Sequence, residues 1–155
     1  MAEPITQLGK ALAARLSTEL GATVERRYAP YLDAAELEDA KWLLVPAADD
    51  VPKQMRGIAD SELAVDVALQ QALPEKENRD DPSISIEWVD SRIEDMGRLK
   101  ALFHPGGVMR DVFLAGSEFK RFETLALFRP DLLIEHRIFT GVVRLVYVHE
   151  LNDEG

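Results

Sequence analysis

The closing apolar stretch of the chain constrains the fold more than any other segment. From Phe139 to Glu150 the residues alternate as in a β-strand, yet both of the resulting faces are apolar. One face carries Val143, Leu145 and Tyr147, and the other carries Val142, Val146 and Val148. A terminal strand of a small sheet normally keeps one face in water. The second face is therefore expected to meet either another layer of the same chain or another subunit.

Two other segments have the periodicity of amphipathic helices. Leucines recur at every fourth residue between Ile5 and Leu20, and Gly21 supplies a C-terminal stop. Apolar residues at steps of three and four predict a long second helix that starts at Asp81-Pro82 and ends at residues 104–107. The first turn of this second helix could also be extended, because its apolar residues alternate as well.

Shorter segments predict the rest of a sheet. The further predicted strands are Ala22 to Tyr28, Lys41 to Pro46, Ser61 to Gln70, and Phe119 to Phe128. A short helix begun by Pro130 separates the last of these from the closing strand. The order of elements predicts a single α+β domain over residues 1–155. In this domain a mainly antiparallel sheet of four or five strands packs against two helices.

Two segments are predicted to lie outside this framework. Residues 47–60 combine Asp49, Asp50, Pro52 and Gly57 with little hydrophobic periodicity, which predicts a long mobile loop. Residues 151–155 are predicted to form a short disordered tail.

Composition restricts the environment and the ligands. The chain has no cysteine, which excludes disulfides, thiolate metal sites and cysteine nucleophiles. Its formal net charge is -10, so phosphate backbones and anionic lipid repel it on average. It shows neither a signal-peptide pattern nor a run of roughly 18 apolar residues. We therefore expect a protein of a reducing cytoplasm that binds neither nucleic acid nor a membrane.

No motif for catalysis or cofactor binding stands out. Gly116-Ser117-Glu118 lacks the second glycine of the serine-hydrolase elbow, and Gly106-Gly107 is an isolated pair rather than a phosphate loop. His104, His136 and His149 lack the i, i+4 spacing of a helical metal pair. Acidic residues crowd the second helix without the spacing of a calcium loop. We predict no catalytic residue, no metal site and no cofactor.

Aromatic residues indicate association rather than chemistry. Tyr28 and Tyr31 flank Pro30 in a predicted loop, and aromatic side chains are enriched at the centres of interfaces. Packing within the loop is an equally open alternative. The candidate subunit-interface residues are Tyr28, Tyr31, Val142, Val146 and Val148.

Several segments between about residue 5 and residue 149 follow one another in a recognisable order. They are the leucine-spaced helix, Thr23 to Pro30, Trp42 to Pro46, a loop with Arg56, Leu63 to Gln70, the second helix, and Arg137 to Tyr147. In this order they resemble the tail-terminator, or tail-completion, proteins of long-tailed bacteriophages. The resemblance is one of pattern and order across nearly the whole chain, without a single diagnostic motif.

The resemblance implies a small non-enzymatic subunit of a hexameric ring on the head-proximal end of the tail tube. Such a ring stops tube polymerisation and joins the tube to the head, so its partners are further copies, the tail-tube protein and the head-connector protein. The protein would occur in the host cytoplasm during assembly and then in the virion tail. Asp49, Asp50, Lys53 and Arg56 would face the lumen or the tube, and the sheet would form the contact between subunits.

Three other functions remain compatible with the sequence. A related neck or head-completion protein has a similar organisation. A small intracellular enzyme could act through a metal or through paired carboxylates, whose members can lie anywhere in a chain. A binding module for a host protein or a small ligand is the third. The mass of the protein in solution separates the ring-forming protein from these alternatives, because discrete rings or stacked tubes are expected only of the ring-forming protein.

Overall fold

The computed structural model describes residues 4–29, 31, 34–47, 54–55, 58–73, 86–126 and 128–150. Within these ranges the helices are α1 (Pro4–Leu20), α2 (Ile86–Phe103) and α3 (Pro130–His136), with a 3-10 turn at Ala34–Glu36. The strands are β1 (Val24–Arg26), β2 (Lys41–Pro46), β3 (Gln54–Met55), β4 (Ile58–Ala72), β5 (Phe113–Leu114), β6 (Ser117–Ala126) and β7 (Ile138–Glu150). The predicted α+β class is confirmed.

The two longest strands, β4 and β7, lie at the centre of the sheet. Six strands follow one another in the order β1-β2-β4-β7-β6-β5, and β3 pairs separately with the start of β4. β1 runs parallel to β2, and the other neighbours are antiparallel. The mixed sheet has more strands than the predicted four or five. α3 is the short helix predicted at Pro130, and it adds to the two helices predicted to pack on the sheet.

The first face of the sheet packs against α1 and α2. The leucine stripe of α1 is buried, as its spacing predicts, and one side of α2 joins it. The fully buried helix residues are Leu8, Leu12, Leu16, Met96 and Leu99. They meet apolar side chains of β4 and β7 that include Val65, Val143 and Leu145. The two helices therefore supply the layer that one face of β7 requires.

The connection from β1 to β2 covers part of the second face. Tyr31 and Leu37 of this connection are buried against the sheet. Gln70, itself fully buried, fixes the connection because its Oε1 accepts the Tyr31 N–H at 2.8 Å and its Nε2 donates to the Tyr31 carbonyl at 3.0 Å. The same Nε2 donates to the Thr140 hydroxyl of β7 at 3.0 Å. Over this part of the face, the second layer comes from the chain itself.

Part of the segment predicted as a long loop is strand. Gln54 and Met55 pair with Ala59 and Ile58, so β4 begins three residues before the predicted Ser61. Most other residues of the 47–60 segment lie outside the described residues. The predicted helix start at Asp81-Pro82 and the 151–155 tail lie outside them too.

The turn between β5 and β6 is not signalled by the sequence. Ala115 and Gly116 have φ values of 49° and 76°, and Leu114 and Ser117 pair on either side of them. Two successive residues at positive φ are typical of the two-residue hairpin turn in which Asn-Gly is the favoured pair. Because Ala115 stands where asparagine is preferred, the usual hairpin signal is missing.

We expect Ala115 to limit the stability of this turn, because a side chain at positive φ crowds the following carbonyl. Ala115→Asn should raise the free energy of unfolding by about 0.5–1 kcal/mol, since asparagine tolerates this conformation. Ala115→Val should lower it, since a branched side chain tolerates the conformation least. Urea denaturation of both variants beside the wild type provides the measurement. Equal stabilities of the two variants would contradict the proposed strain.

Candidate functional site

The part of the second face that the β1–β2 connection leaves open is a groove of about 350 Å³, called here the sheet groove. Its floor comes from β2, β4 and β7, one wall from the end of β6, and the other wall from α3. The apolar side chains that line it are Val45, Ala68, Leu125, Ala126, Leu132 and Val142. A mostly apolar, open surface of this kind is suited to binding another molecule.

A strand irregularity turns Leu125 towards the groove. The register between β6 and β7 shifts between Phe119 and Arg121, so Arg121, Glu123 and Leu125 alternate on the face opposite to that of Phe119. A second shift between Thr124 and Ala126 leaves Leu125 as an extra residue, so that Leu125 and Ala126 both line the groove. Leu125 is 47% exposed, so a large apolar group stands in solvent at the rim of the sheet groove.

The other wall is fixed by the start of α3. Pro130 occupies the first turn of the helix, and the Arg129 N–H donates to the Thr140 carbonyl at 2.7 Å. An ion pair of 2.8 Å joins Arg129 to Asp131, and this hydrogen bond lowers the pKa of the Asp131 carboxyl. Leu133 enters the first-face core while Leu132 lines the groove. The helix is therefore anchored on one side and open to the groove on the other.

A cross-strand ion pair borders the groove on the sheet. Asp66 of β4 lies directly opposite Arg144 of β7. The Arg144 Nε donates to Asp66 Oδ1 at 2.8 Å and the Nη2 donates to Oδ2 at 3.2 Å. Bidentate arginine–carboxylate pairs of this kind have a specific geometry. Both side chains are half-buried. Asp66 and Arg129 are the charged residues that line the groove, together with the buried Thr140.

A second set of ion pairs passes over β7. Glu62 of β4 contacts both Lys120 and Arg121 of β6, although β7 lies between these two strands. The hydrogen bond from Lys120 is the main cause that lowers the pKa of the Glu62 carboxyl, and Arg121 adds to it. On β7, Val148 lies opposite Glu62 and Val146 lies opposite Arg121. The long side chains thus cover the β7 surface at Val146.

Two of the predicted interface residues, Tyr31 and Val146, are buried within their own chain. Val146 is 2% exposed beneath the ion pairs of Glu62. Tyr31 is 7% exposed, and its hydroxyl donates to Glu25 at 2.7 Å while the Arg27 guanidinium lies 3.6 Å from its ring centre. Intrachain contacts already occupy both side chains, so neither is available to a neighbour.

The other predicted residues have different surroundings. Val142 and Val148 are half-buried, and Val142 lines the sheet groove. Tyr28 is 78% exposed. The predicted lumen-facing residues Asp49, Asp50, Lys53 and Arg56 lie outside the described residues.

Sequence reasoning missed Leu125 and Leu132, although one signal was present. Phe119, Phe122 and Leu125 recur every third residue within a predicted strand, whereas a regular strand repeats every second residue. The structure accommodates this spacing with register shifts on either side of Lys120 and Leu125. Leu132 gave no comparable signal, because which side of a seven-residue helix meets the sheet depends on tertiary packing.

No protein-family model and no curated protein sequence matches the chain. Among the described residues no three or more histidine, aspartate or glutamate side chains are placed to share a metal ion. In the same part of the chain no helix combines the length and apolar character needed to cross a membrane. Ser117 Oγ lies 3.1 Å from His149 Nδ1, but Ser117 is fully buried, so this contact joins β6 to β7.

Among the described residues, one buried polar side-chain atom has no hydrogen-bond partner. The Tyr147 hydroxyl is buried and makes no hydrogen bond, while its ring packs edge-on against Phe119 at 5.6 Å between centroids. Burial raises the pKa of the Tyr147 phenol far above its usual range. A buried hydroxyl without a hydrogen bond costs free energy in the folded state.

We predict that Tyr147→Phe stabilises the fold by about 1 kcal/mol at neutral pH, because it removes this unpaired hydroxyl. Since the folded-state pKa is raised, the stability contributed by the neutral phenol is present below pH 10.0 and declines above it. Wild type should lose up to ~1.4 kcal/mol per pH unit from this group in that range, and the variant should lack this component. Urea unfolding at neutral pH and near pH ~11 tests both points.

At a protein concentration at which the chain is monomeric, Tyr28→Phe is the matched control, because it removes an exposed hydroxyl, and it is expected to change neither measurement. A clear loss of stability in Tyr147→Phe at neutral pH would show that the hydroxyl has a stabilising partner.

Proposed function

We propose that the chain is a structural subunit of a bacteriophage tail, which assembles into a ring that caps the tail tube, stops its polymerisation and joins it to the head connector. The observation that carries this proposal is the sheet groove. A single chain builds two covering layers for its sheet and still leaves an apolar groove with Leu125 47% exposed. Surfaces of this kind are typical of protein association.

The positions of the resembling segments support the proposal. The leucine-spaced helix is α1, and the segment from Trp42 to Pro46 lies in β2. Leu63 to Gln70 and Arg137 to Tyr147 coincide with most of the central strands β4 and β7. These four resembling segments therefore belong to the framework of the domain.

In this role the chain acts through its surfaces and needs no catalytic group. Its partners are further copies of itself, the tail-tube protein and the head-connector protein. The assignment of Asp49, Asp50, Lys53 and Arg56 to the lumen or the tube rests on the resemblance alone. The protein would act in the host cytoplasm during assembly and remain in the virion tail.

The first test is the mass of the purified chain in solution. Light scattering after gel filtration should give a multiple of the 17.4 kDa subunit, with six as the expected number. Leu125→Glu should shift the protein towards monomer by introducing a charge into the sheet groove. Phe113→Glu is the matched control, because Phe113 is 68% exposed outside the groove, and it should leave the mass unchanged. A wild-type monomer at every concentration would reject the ring.

A second test uses ionic strength. Each subunit has a formal net charge of -10, so ring formation brings like charges together. The Debye length falls from ~30 Å at 0.01 M salt to ~8 Å at 0.15 M, so the oligomer fraction should rise between these conditions. Sedimentation at fixed protein concentration measures it. A larger oligomer fraction at low salt would instead assign the association to complementary charges.

The role in the tail requires a separate experiment. The purified chain is mixed with the tail-tube protein encoded in the same genome and examined by electron microscopy. We expect extra density at one end of each tube and shorter tubes as the chain concentration rises. Binding along the whole tube, or no binding by a chain that forms rings, would contradict the terminator role but not self-association.

A further inference from the structure

We infer that the sheet groove receives the Tyr28 side chain of a second copy, so that neighbouring subunits join head to tail. This inference rests on the proposed ring and names the two surfaces that meet in it. The first surface is the sheet groove. The second is the Tyr28 patch, which consists of Ile5, Arg26, Tyr28 and Pro46.

Tyr28 is the more unusual half of the contact. It follows the edge strand β1 and is the most exposed of the large apolar side chains in the described part of the chain. Tyrosine buries a large area at little entropic cost, because few of its bonds rotate, and it is enriched at the energetic centres of interfaces. An exposed tyrosine beside a proline and an isoleucine is therefore suited to insertion into a neighbour.

The two surfaces lie on opposite sides of the subunit. The residues around Tyr28 include Gly9 of α1 and the first-face residues Leu44 and Val65. The sheet groove lies on the second face. At β2 the two surfaces are back to back, because Val45 lines the groove and its neighbour Pro46 belongs to the Tyr28 patch. Tyr28 follows β1 and Leu125 lies in β6, which are separated by four strand spacings, or about 19 Å, along the sheet. One contact between two copies joins one surface from each, so both surfaces are used only when copies follow one another head to tail. Such a contact closes into a ring when its rotation allows.

The chemistry of the groove suits a phenol. Val142 and Leu125 offer apolar contact to the ring, and the groove is large enough for one aromatic side chain. The Asp66 carboxylate can accept the tyrosine O–H in addition to its bonds from Arg144, because a carboxylate has about four acceptor positions. Arg129 adds a cation beside the ring.

The charges beside the two surfaces are complementary. Arg26 in the Tyr28 patch is exposed, and so is Glu135, which lies three residues after Leu132 on the groove side of α3. Neither side chain has an ion-pair partner among the described residues. Docking of Tyr28 into the groove of a second copy would bring this arginine towards this glutamate.

The absence of cysteine makes the contact testable by crosslinking. Tyr28→Cys and Leu125→Cys are prepared separately and together, and are treated with a short bis-maleimide. Mixed single variants should form a covalent dimer, while each alone should not. The double variant should form a ladder beyond the dimer. Phe113→Cys, at a similarly exposed apolar position, is the control and should not link to Leu125→Cys.

Charge reversal provides an independent measurement. Arg26→Glu and Glu135→Arg should each weaken association by roughly 2- to 5-fold, and the combined variant should restore it. If only net charge mattered, Arg26→Glu would weaken association and Glu135→Arg would strengthen it, because they shift the net charge of the subunit in opposite directions. Divergence of the two single variants would overturn the pairing.

The outcomes separate this inference from the proposed ring. A wild-type oligomer whose Tyr28→Cys and Leu125→Cys variants do not link, or whose Leu125→Cys variant links to itself, overturns the head-to-tail contact and leaves the ring standing. A covalent dimer without a ladder from the double variant overturns it as well. A wild-type monomer at all concentrations overturns both.

Discussion

The pairing of β4 with β7 is the interaction on which the rest of the structure depends. The two strands run side by side from Asp60 opposite Glu150 to Ala72 opposite Ile138, and both carry apolar groups towards each face. A ladder of this length satisfies many backbone groups at once, but its stability requires that water be kept from both faces. The other elements either extend this ladder sideways as further strands or cover one of its faces. α1 and α2 cover one face, and the β1–β2 connection begins to cover the other.

The second face of the sheet has three parts, of which two are covered and one is open. The connection containing Tyr31 is fastened to the buried Gln70, the ion pairs of Glu62 pass over β7, and the remaining area is the sheet groove. The two covered parts are held by polar groups that bind partners in the same chain. In the open part, the large apolar side chain of Leu125 is exposed to solvent. Because of this difference, we propose the sheet groove, and not the whole apolar surface of β7, as the binding surface.

Local patterns in the sequence predicted the framework well. The bounds of β2 agree with its segment Lys41 to Pro46, the leucine repeat identifies α1, and Pro130 marks the start of α3. The two apolar faces of β7 required a second cover, which Tyr31 and the connection around it supply in part. The surroundings of single residues could not be predicted where they depend on distant partners. Nothing in the local sequence of Val146 indicates that Glu62 and Arg121, 84 and 25 residues away, reach across it. Leu125 was missed because a bulge breaks the alternation from which strand faces are read.

The two outer strands have a consequence for how such a protein behaves when it is concentrated. β1 pairs with only three residues of β2, and beyond it β2 ends in Pro46, which has no N–H to offer. At the other side the outermost strand β5 pairs with only two residues of β6, and the rest of β6 carries two bulges and the charges of Lys120, Arg121 and Glu123. Edges of this kind are poor templates for another strand. The sheet therefore cannot readily extend from molecule to molecule through its backbone, and the contacts that we propose between copies are made by side chains. Side-chain contacts can be broken and reformed without unravelling a ladder, so a misplaced copy can leave before it seeds a fibre.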